Sequence, residues 1–432
     1  MNESQIGENY RKTENAYKLS SNSEFLSLWF VGGILNILRW LELLAVGIVV
    51  FDMTASPFYV ALMVTMRFLP MLFLGFFSGA IVERINRRLG LIVIFFLMAF
   101  ASFFYGLEIY FGQISFWLIC TSVIFNGILW ALDNPLRRTL FADVVKPEQI
   151  GTAMTLDSLT SNFTRFLGPF LGGLFLEYYG IEGVFFLGAI IYLLSLLVTT
   201  FGTRTAGIKL ASNQEGILTE LTNGLILLRK DRTLKGILAV TIVFNLWGFP
   251  FVSLIPVIGK EVLELSPFLI GLLVSTEGLG AIISSLVIVS IARINLYRKF
   301  YTYGVFLFLL MGFSFAQSSD FISAVICMFF TGVGWGCFSA MQATLIMFCT
   351  PLVARGRMMG LLTASIGLNT VGILHIGLLA NWLGTELAIL VSTTEVFFLL
   401  IFVCRLWQEI IAPQLLPLDS IITSEQGIQK DS

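Results

Sequence analysis

Long apolar runs separated by short polar breaks occupy this sequence from residue 25 to residue 408. A bilayer core is crossed by about 20 helical residues. Backbone polar groups in hydrocarbon must be satisfied within their own segment, so such runs predict membrane-spanning α-helices. Hydrophobic residues make up 57% of the chain and charged residues only 12%, whereas a soluble domain averages about 25% charged residues. The sequence therefore predicts an all-α membrane protein whose outer surface contacts lipid.

The apolar runs form two sets of six. The first set lies at 25–51, 58–82, 90–111, 115–142, 151–176 and 180–201, and the second at 235–258, 267–292, 300–318, 321–349, 357–383 and 386–408. They predict twelve transmembrane helices in two six-helix bundles. The corresponding segments are an N-terminal tail (1–23), a first bundle (24–201), a linker (202–234), a second bundle (235–408) and a C-terminal tail (409–432). Apolar residues at helical spacing in the linker predict an amphipathic helix, and a solvated linker is the alternative.

Lysine and arginine are distributed unevenly between the two sets of loops. The loops near 53–57, 112–114, 177–179, 319–320 and 384–385 contain neither residue type. Positive charge in short loops is retained on the cytoplasmic side, so this asymmetry predicts that both termini and the linker are cytoplasmic. The polar N-terminal tail lacks the apolar stretch of a cleaved signal peptide.

Several functional classes are disfavoured by composition and by motif content. The net charge of −1 argues against nucleic-acid binding. The chain has no phosphate-binding loop and no HExxH motif, so we predict neither an enzyme nor a bound cofactor. All cysteines fall inside predicted helices without CxxC pairs or adjacent histidines, and are expected to be inert: Cys120, Cys327, Cys337, Cys349 and Cys404. The expected partners are membrane lipids and a small solute.

A charged loop follows the second predicted helix and contains Gly79, Glu83, Arg84, Arg87 and Arg88. A glycine allows two helices to approach closely, and the acid and arginines can pair with neighbouring helix ends. Such a cluster can stabilise one conformation. The alternative is that the arginines only fix the topology. The equivalent loop after the eighth predicted helix keeps basic residues without the glycine and the acid, as expected of diverged internal repeats.

This loop resembles the G-x-x-x-D-R-x-G-R-R signature of the major facilitator superfamily, with Glu83 in place of the aspartate and Asn86 in place of the second glycine. The fifth predicted helix contains a second motif, which resembles the G-P-x-x-G-G motif of the superfamily's antiporter branch: Gly168, Pro169, Gly172 and Gly173. An earlier glycine of that motif is replaced by Leu159. Proline and glycine together predict either a hinge or a tight helix contact, and an ordinary kinked membrane helix is the alternative.

Two further stretches resemble the branch that includes enterobactin-type siderophore exporters and macrolide efflux proteins. They are Asp133-Asn-Pro-Leu-Arg137-Arg138 and Arg355-Gly356-Arg357-Met-Met-Gly360. The resemblance covers nearly the whole chain and implies a monomeric antiporter of the bacterial inner membrane, exporting a drug, metabolite or siderophore by alternating access. Uptake, lipid movement and a non-transporting sensor or scaffold are the alternatives.

Ionisable residues inside the predicted helices are the candidate site. A charge at the bilayer centre costs about 2.5–3.5 kcal/mol on insertion scales, so each is expected to be functional or paired. The candidates for the substrate cavity or for proton coupling are Arg39, Glu42, Arg67, Asp133, Asp157, Arg165 and Glu277. For each carboxylate, a purely structural ion pair is the alternative.

Spacing along the helices suggests partners for these charges. Arg39 and Glu42 are three residues apart and are expected to share a helix face. Asp133 with Arg137, and Asp157 with Arg165, are the predicted gate pairs. Glu42 is the favoured proton carrier, because alternating access would move its carboxyl group between wet and dry surroundings. Glu395, on a helix expected to be peripheral, and the sole histidine, His375, are weaker candidates.

Overall fold

A computed structural model describes residues 19–146, 149–205, 228, 231–291, 296–350 and 355–411. All regular secondary structure in this part of the chain is helical. Most of the predicted linker and most of both predicted tails lie outside these residues, so the amphipathic linker helix stays a prediction.

The first half begins with α1 (Ser23–Thr54), α2 (Pro57–Arg84), α3 (Arg87–Tyr110) and α4 (Phe116–Val144). A double-length helix, Ile150–Gly202, follows and breaks at Gly180, where φ is 66° and ψ is −177°. Glycine adopts this conformation without a Cβ clash. We call the limb before the break α5 and the limb after it α6. The turn predicted between the fifth and sixth helices is thus a single glycine residue.

The second half begins with α7, which runs from Arg232–Val243 through a π-helical turn (Phe244–Gly248) and a 3-10 turn (Phe249–Leu254) to Ile255–Glu261. Prolines at 250 and 256 lack the amide hydrogen needed for a regular helix, which accounts for the irregular turns. The remaining helices are α8 (Pro267–Ile291), α9 (Tyr297–Phe315), α10 (Phe321–Cys349), α11 (Arg355–Gly367 continued by Asn369–Leu383) and α12 (Thr385–Leu406).

Side chains in the loops fix several helix starts. Asn22, Asn86 and Ser115 accept hydrogen bonds from backbone amides in the first turns of α1, α3 and α4. Asp231 and Asp320 do the same for α7 and α10. These caps satisfy amides that have no partner within the helix. The polar breaks seen in the sequence therefore end one helix and begin the next.

Nine helical segments in the described chain are long and apolar enough to cross a membrane, and one of them, Thr152–Gly202, spans 51 residues. A single crossing needs about 20 residues, so that segment can cross twice. Large apolar side chains cover the outer surface, with exposed fractions of 64% for Phe100, 65% for Phe398 and 78% for Phe201. Such a surface suits contact with lipid. The predicted all-helical membrane fold is confirmed.

The two halves contact each other mainly through two pairs of helices, α5 with α8 and α2 with α11. The last segment of α7, Ile255–Glu261, also packs against α1. Within the first half, α1 packs against the double-length helix and α2 against α4. Within the second half, α10 packs against both α8 and α9. The interface between the halves, and the interior of the first half, contain the ionisable residues predicted from sequence.

Candidate functional site

The halves are joined at one end, which we call the far side: the end at which α1 meets α2 and α11 meets α12. Lys260 Nζ lies 3.0 Å from Asp52 Oδ1. Ser56 Oγ donates a hydrogen bond to Asn381 Oδ1 at 3.2 Å. The opposite end, where the described chain begins and ends, is the terminal side. The Lys260–Asp52 ion pair and the Ser56–Asn381 hydrogen bond each link a residue of the first half to one of the second, so they hold the far side closed.

Backbone contact between α5 and α8 extends this closure toward the middle of the molecule. A Cβ atom placed on Gly271 would lie 2.6 Å from the carbonyl oxygen of Pro169 and 2.9 Å from Cα of Gly173. A Cβ atom on Gly278 would lie 2.7 Å from the amide nitrogen of Phe166. No side chain fits at such distances, so glycine is required where these helices cross.

The G-P-x-x-G-G motif on α5 serves two contacts. Gly168 and Gly172 face α1, where an added Cβ would lie 2.8 Å from the carbonyl oxygen of Ile37 and 2.9 Å from that of Leu41, respectively. Gly173 faces α8. The helix keeps helical torsion angles at Pro169 and departs from them only at Gly180. Of the two predicted uses of the motif, close packing is what this conformation shows.

Arg165 and Glu277 form a two-pronged ion pair between the halves. Arg165 Nε and Nη2 donate to Glu277 Oε2 and Oε1 at 2.8 and 2.9 Å, and the side chains are only 10% and 3% exposed. The predicted pair of Asp157 with Arg165 is wrong. Eight residues of helix correspond to a rise of about 12 Å, which is too far for an ion pair on one face.

Three aromatic rings surround the Arg165 guanidinium. Its Cζ atom lies 4.6 Å from the ring centroid of Trp335, 5.1 Å from that of Trp40 and 5.5 Å from that of Phe249. These rings come from α10, α1 and α7. Sequence reasoning missed this aromatic site, because no local pattern relates residues from four separate helices.

Glu42 is buried in the first half and paired with Arg67, whose Nη2 lies 3.0 Å from Glu42 Oε2. Tyr192 on α6 also donates a hydrogen bond to Glu42 Oε1 at 3.4 Å. The predicted pairing of Glu42 with Arg39 is therefore not the one observed. Arg39 Nη2 lies 3.7 Å from Asp133 Oδ2, and its Cζ stacks 4.0 Å from the Trp130 ring centroid.

A chain of charges continues from Asp133 toward the terminal side. Arg137 Nε lies 3.8 Å from Asp133 Oδ1, which confirms the pair predicted from their spacing. Arg137 Nη1 lies 3.4 Å from Asp157 Oδ1, and Arg138 Nε lies 3.2 Å from Asp157 Oδ2. An added Cβ on Gly32 would clash with the Arg137 guanidinium, so a larger residue at this position of α1 would displace the Arg137 side chain.

A small pocket, with room for about one water molecule, lies inside the first half, beside these pairs. It is lined by Leu35, Arg39, Arg67, Met98, Asn126, Trp130, Asp133 and Tyr192. Asn126 Oδ1 and Trp130 Nε1 are buried and have no hydrogen-bond partner among the described residues. Polar atoms of this kind can bind water or a polar group of a ligand.

The charged loop after α2 is described only in part. The side chains of Glu83 and Arg84, and the surroundings of Gly79, lie outside the described part of the chain. Arg87 forms an ion pair with Asp143 at the end of α4. Arg88 Nη2 donates to the backbone oxygen of Thr200 on α6 at 2.7 Å. The two arginines thus connect the terminal-side ends of α3, α4 and α6. The gating role of this loop stays a prediction.

The weaker candidates lie away from this network. Glu395 is exposed on α12, near the middle of the helix, and His375 is half-buried on α11. The five cysteines are free thiols, either buried or half-buried. Their roles stay predictions, but Glu395 provides a membrane-embedded carboxylate for comparison with Glu42.

Comparisons with known proteins agree with this architecture. The family model described as transmembrane secretion effector matches residues 16–416. The MFS-type transporter YfiS of Bacillus subtilis is 25% identical over 82% of this chain and 85% of its own. The staphyloferrin A transporter of Staphylococcus aureus is 23% identical over 60% of this chain and 66% of its own.

Solved structures with the same fold include transporters of several kinds. A bacterial homologue of the human lysosomal transporter Spinster superposes with a TM-score of 0.72 at 12% identity, covering 90% of this chain and 97% of its own. The nucleoside transporter NupG gives a TM-score of 0.68 at 12% identity, covering 89% and 98%. At such identities the likeness concerns the fold. The family match over almost the whole chain establishes that this protein is a multi-pass membrane transporter of the transmembrane secretion effector family, within the major facilitator superfamily, and the shared fold agrees with it.

Proposed function

We propose that this protein is a proton-coupled antiporter that exports a hydrophobic or amphipathic small molecule by alternating access. The observation that carries the proposal is the buried Glu42–Arg67 pair beside a polar pocket. Buried ion pairs are seldom net stabilising compared with apolar residues of the same volume, so their presence calls for another explanation. A proton-accepting carboxylate next to a pocket is such an explanation.

Protonation of Glu42 would change the electrostatics of the first half. A neutral Glu42 leaves Arg67 as an uncompensated buried cation, which is costly in a low-dielectric interior. A rearrangement that admits water to Arg67, or moves another acid toward it, lowers this cost. Proton binding and the equilibrium between access states are then coupled, since a ligand shifts a conformational equilibrium by its difference in affinity for the two states.

The direction of transport is inferred from the predicted topology and from the closed far side. If the termini are cytoplasmic, the far side faces outward, and the contacts of Asp52 with Lys260 and of α5 with α8 close the outer entrance. A substrate would then enter from the terminal side, which would face the cytoplasm. The staphyloferrin A transporter among the relatives makes a siderophore one reasonable substrate to test.

Topology is tested by cysteine labelling in a background without native cysteines. Met53 and Ile85 are suited to comparison because they are 39% and 37% exposed at opposite ends of the molecule. In intact cells, Met53→Cys should react with an impermeant maleimide and Ile85→Cys should react only after permeabilisation. The reverse pattern would place the termini outside.

The transport proposal is tested in proteoliposomes with an imposed pH gradient and a panel of dyes and siderophores. A proton gradient directed toward the terminal side should drive substrate movement in the opposite direction, and reversing the gradient should reverse the flux. Liposomes that contain the Glu42→Gln variant serve as the matched control for the effect of the pH gradient on substrate movement. Substrate movement that is unaffected by the pH gradient would contradict antiport, and movement in the same direction as the protons would favour uptake.

A further inference from the structure

Our inference deepens the proposed function by naming a substrate class, and so rests on that function for its physiological meaning. We infer that Glu277, Trp335 and Phe249 form a binding site for a lipophilic organic cation, which Arg165 occupies in the closed-far-side state. The Arg165 side chain would act as a tethered competitor for that cation.

The first argument is the way in which the guanidinium is held. Both carboxylate oxygens of Glu277 accept hydrogen bonds from Arg165, at 2.8 and 2.9 Å. The rings of Trp335 and Phe249 lie within 4.6 and 5.5 Å of its central carbon. A carboxylate combined with aromatic faces is the arrangement by which proteins bind quaternary ammonium and other delocalised cations. The site thus already contains a planar organic cation, supplied by the protein itself.

A second argument is the division of the site between the halves. Glu277, Trp335 and Phe249 belong to α8, α10 and α7 of the second half, whereas Arg165 and Trp40 belong to the first half. When the halves separate at this contact, Arg165 leaves with its own helix. The carboxylate and two rings stay together and are exposed to a ligand that enters between the halves.

The part of the site in the second half is held rigidly. An added Cβ on Gly332 of α10 would lie 2.9 Å from Cα of Glu277, so α8 and α10 are in backbone contact at the carboxylate. The ring centroids of Phe249 and Trp335 are 4.5 Å apart. The irregular turns of α7 place Phe249 at this position. A preorganised site loses little conformational entropy on binding.

Charge and polarity favour a lipophilic cation over an anion or a metal ion. The faces of aromatic rings attract cations and disfavour anions. The other buried arginines of the first half, Arg67, Arg87 and Arg137, contact acids of their own and thus add little net positive potential. Among the described residues no group of three or more metal-ligating side chains occurs, so a hydrated metal ion has no ligand set here.

Exchange between Arg165 and a substrate would connect binding to transport. A bound cation replaces Arg165 as the partner of Glu277, so the ion pair that joins the halves cannot re-form while the cation is present. By linkage, the state with separated halves binds the cation more tightly, and the cation stabilises that state by the same factor. Substrate binding would therefore keep the halves apart at this contact until a further step, such as protonation of Glu42, changes the balance.

The test measures binding of radiolabelled tetraphenylphosphonium to the purified full-length protein in detergent, with no gradient present. Arg165→Ala should bind this cation at least about 10-fold more tightly than wild type, since the internal competitor is gone. Adding Glu277→Gln to that variant should remove the gain, and Trp335→Leu should reduce it. Glu395→Gln, which removes a lipid-facing carboxylate, should leave wild-type affinity unchanged. The anion tetraphenylborate should show no gain with Arg165→Ala.

A second design applies if Arg165→Ala folds poorly. The exchanged pair Arg165→Glu with Glu277→Arg retains an ion pair between the halves, and should match wild type in thermal unfolding while losing tetraphenylphosphonium binding. Equal binding by wild type, Arg165→Ala and the exchanged pair would overturn the inference. The outcomes are separable from those for antiport: cation binding without pH-driven flux would contradict only the proposed function, and pH-driven flux of other substrates without cation binding at Glu277 would contradict only this site.

Discussion

Replacing Glu42 with glutamine is expected to abolish accumulation of substrate against its gradient, while downhill exchange of the same substrate continues. Glutamine has nearly the same shape and can still accept a hydrogen bond from Arg67 or Tyr192, whose contacts with Glu42 are 3.0 and 3.4 Å. It cannot bind and release a proton. The loss should exceed about 10-fold in the steady-state accumulation ratio, because the driving ion no longer contributes.

The matched control for this variant is Glu395→Gln. Both residues are glutamates within membrane-spanning helices, but Glu42 is buried beside the pocket and Glu395 is exposed on α12. Accumulation ratios and counterflow are measured for both variants in parallel proteoliposome preparations. If Glu42→Gln still accumulates substrate with unchanged pH dependence, the Glu42–Arg67 pair is structural, and the coupling acid must be sought at Asp133, Asp157 or Glu277.

Replacing Gly271 with alanine is expected to open the far side and to slow transport strongly. The added methyl group would lie 2.6 Å from the Pro169 carbonyl oxygen and 2.9 Å from Cα of Gly173. Both are backbone atoms, so α5 and α8 must separate. Overpacking of this kind costs about 2 kcal/mol, which shifts the equilibrium between closed and open far side by roughly 30-fold.

Accessibility of a reporter cysteine measures this shift. Phe170→Cys is suitable, since the Phe170 ring packs against Phe268 of the other half at a centroid distance of 5.7 Å. With Gly271→Ala, the reporter should react at least about 10-fold faster with an impermeant maleimide added from the far side. Gly47→Ala is the control, because its methyl group would meet Pro256 of the second half at an ordinary 3.6 Å. Equal rates in the two variants would show that the α5–α8 contact does not keep the far side closed.

Some of the site could be predicted from sequence because its chemistry is unusual for its surroundings. A charged residue in a long apolar run is conspicuous, and the sequence predicts seven such residues as candidates for the site. All seven take part in ion pairs, among them Arg39, Asp133 and Glu277. Contacts between residues one helical turn apart, such as Asp133 with Arg137, were also predictable from spacing.

The aromatic site around Arg165 was not predictable in this way. Trp40, Phe249 and Trp335 are ordinary apolar residues in membrane helices, and their sequence positions carry no information about a shared neighbour. Likewise, the pairing of Glu42 with Arg67 instead of Arg39 depends on how α1 and α2 are rotated against each other. Helix rotation is decided by packing of small and large side chains over the whole interface, and no local pattern encodes it.

The helical membrane fold, the order of its long apolar segments and the residue types available for charge chemistry follow from the sequence alone. The reason is local: each helix satisfies its own backbone in hydrocarbon, and apolar length alone decides whether a segment can span. Which arginine meets which acid depends on the tertiary structure, because ion pairs form between helices whose separation in sequence is arbitrary. The pairing of Arg165 with Glu277 joins residues 112 positions apart, and it exists because glycines at 173, 271 and 278 let α5 and α8 approach to backbone contact.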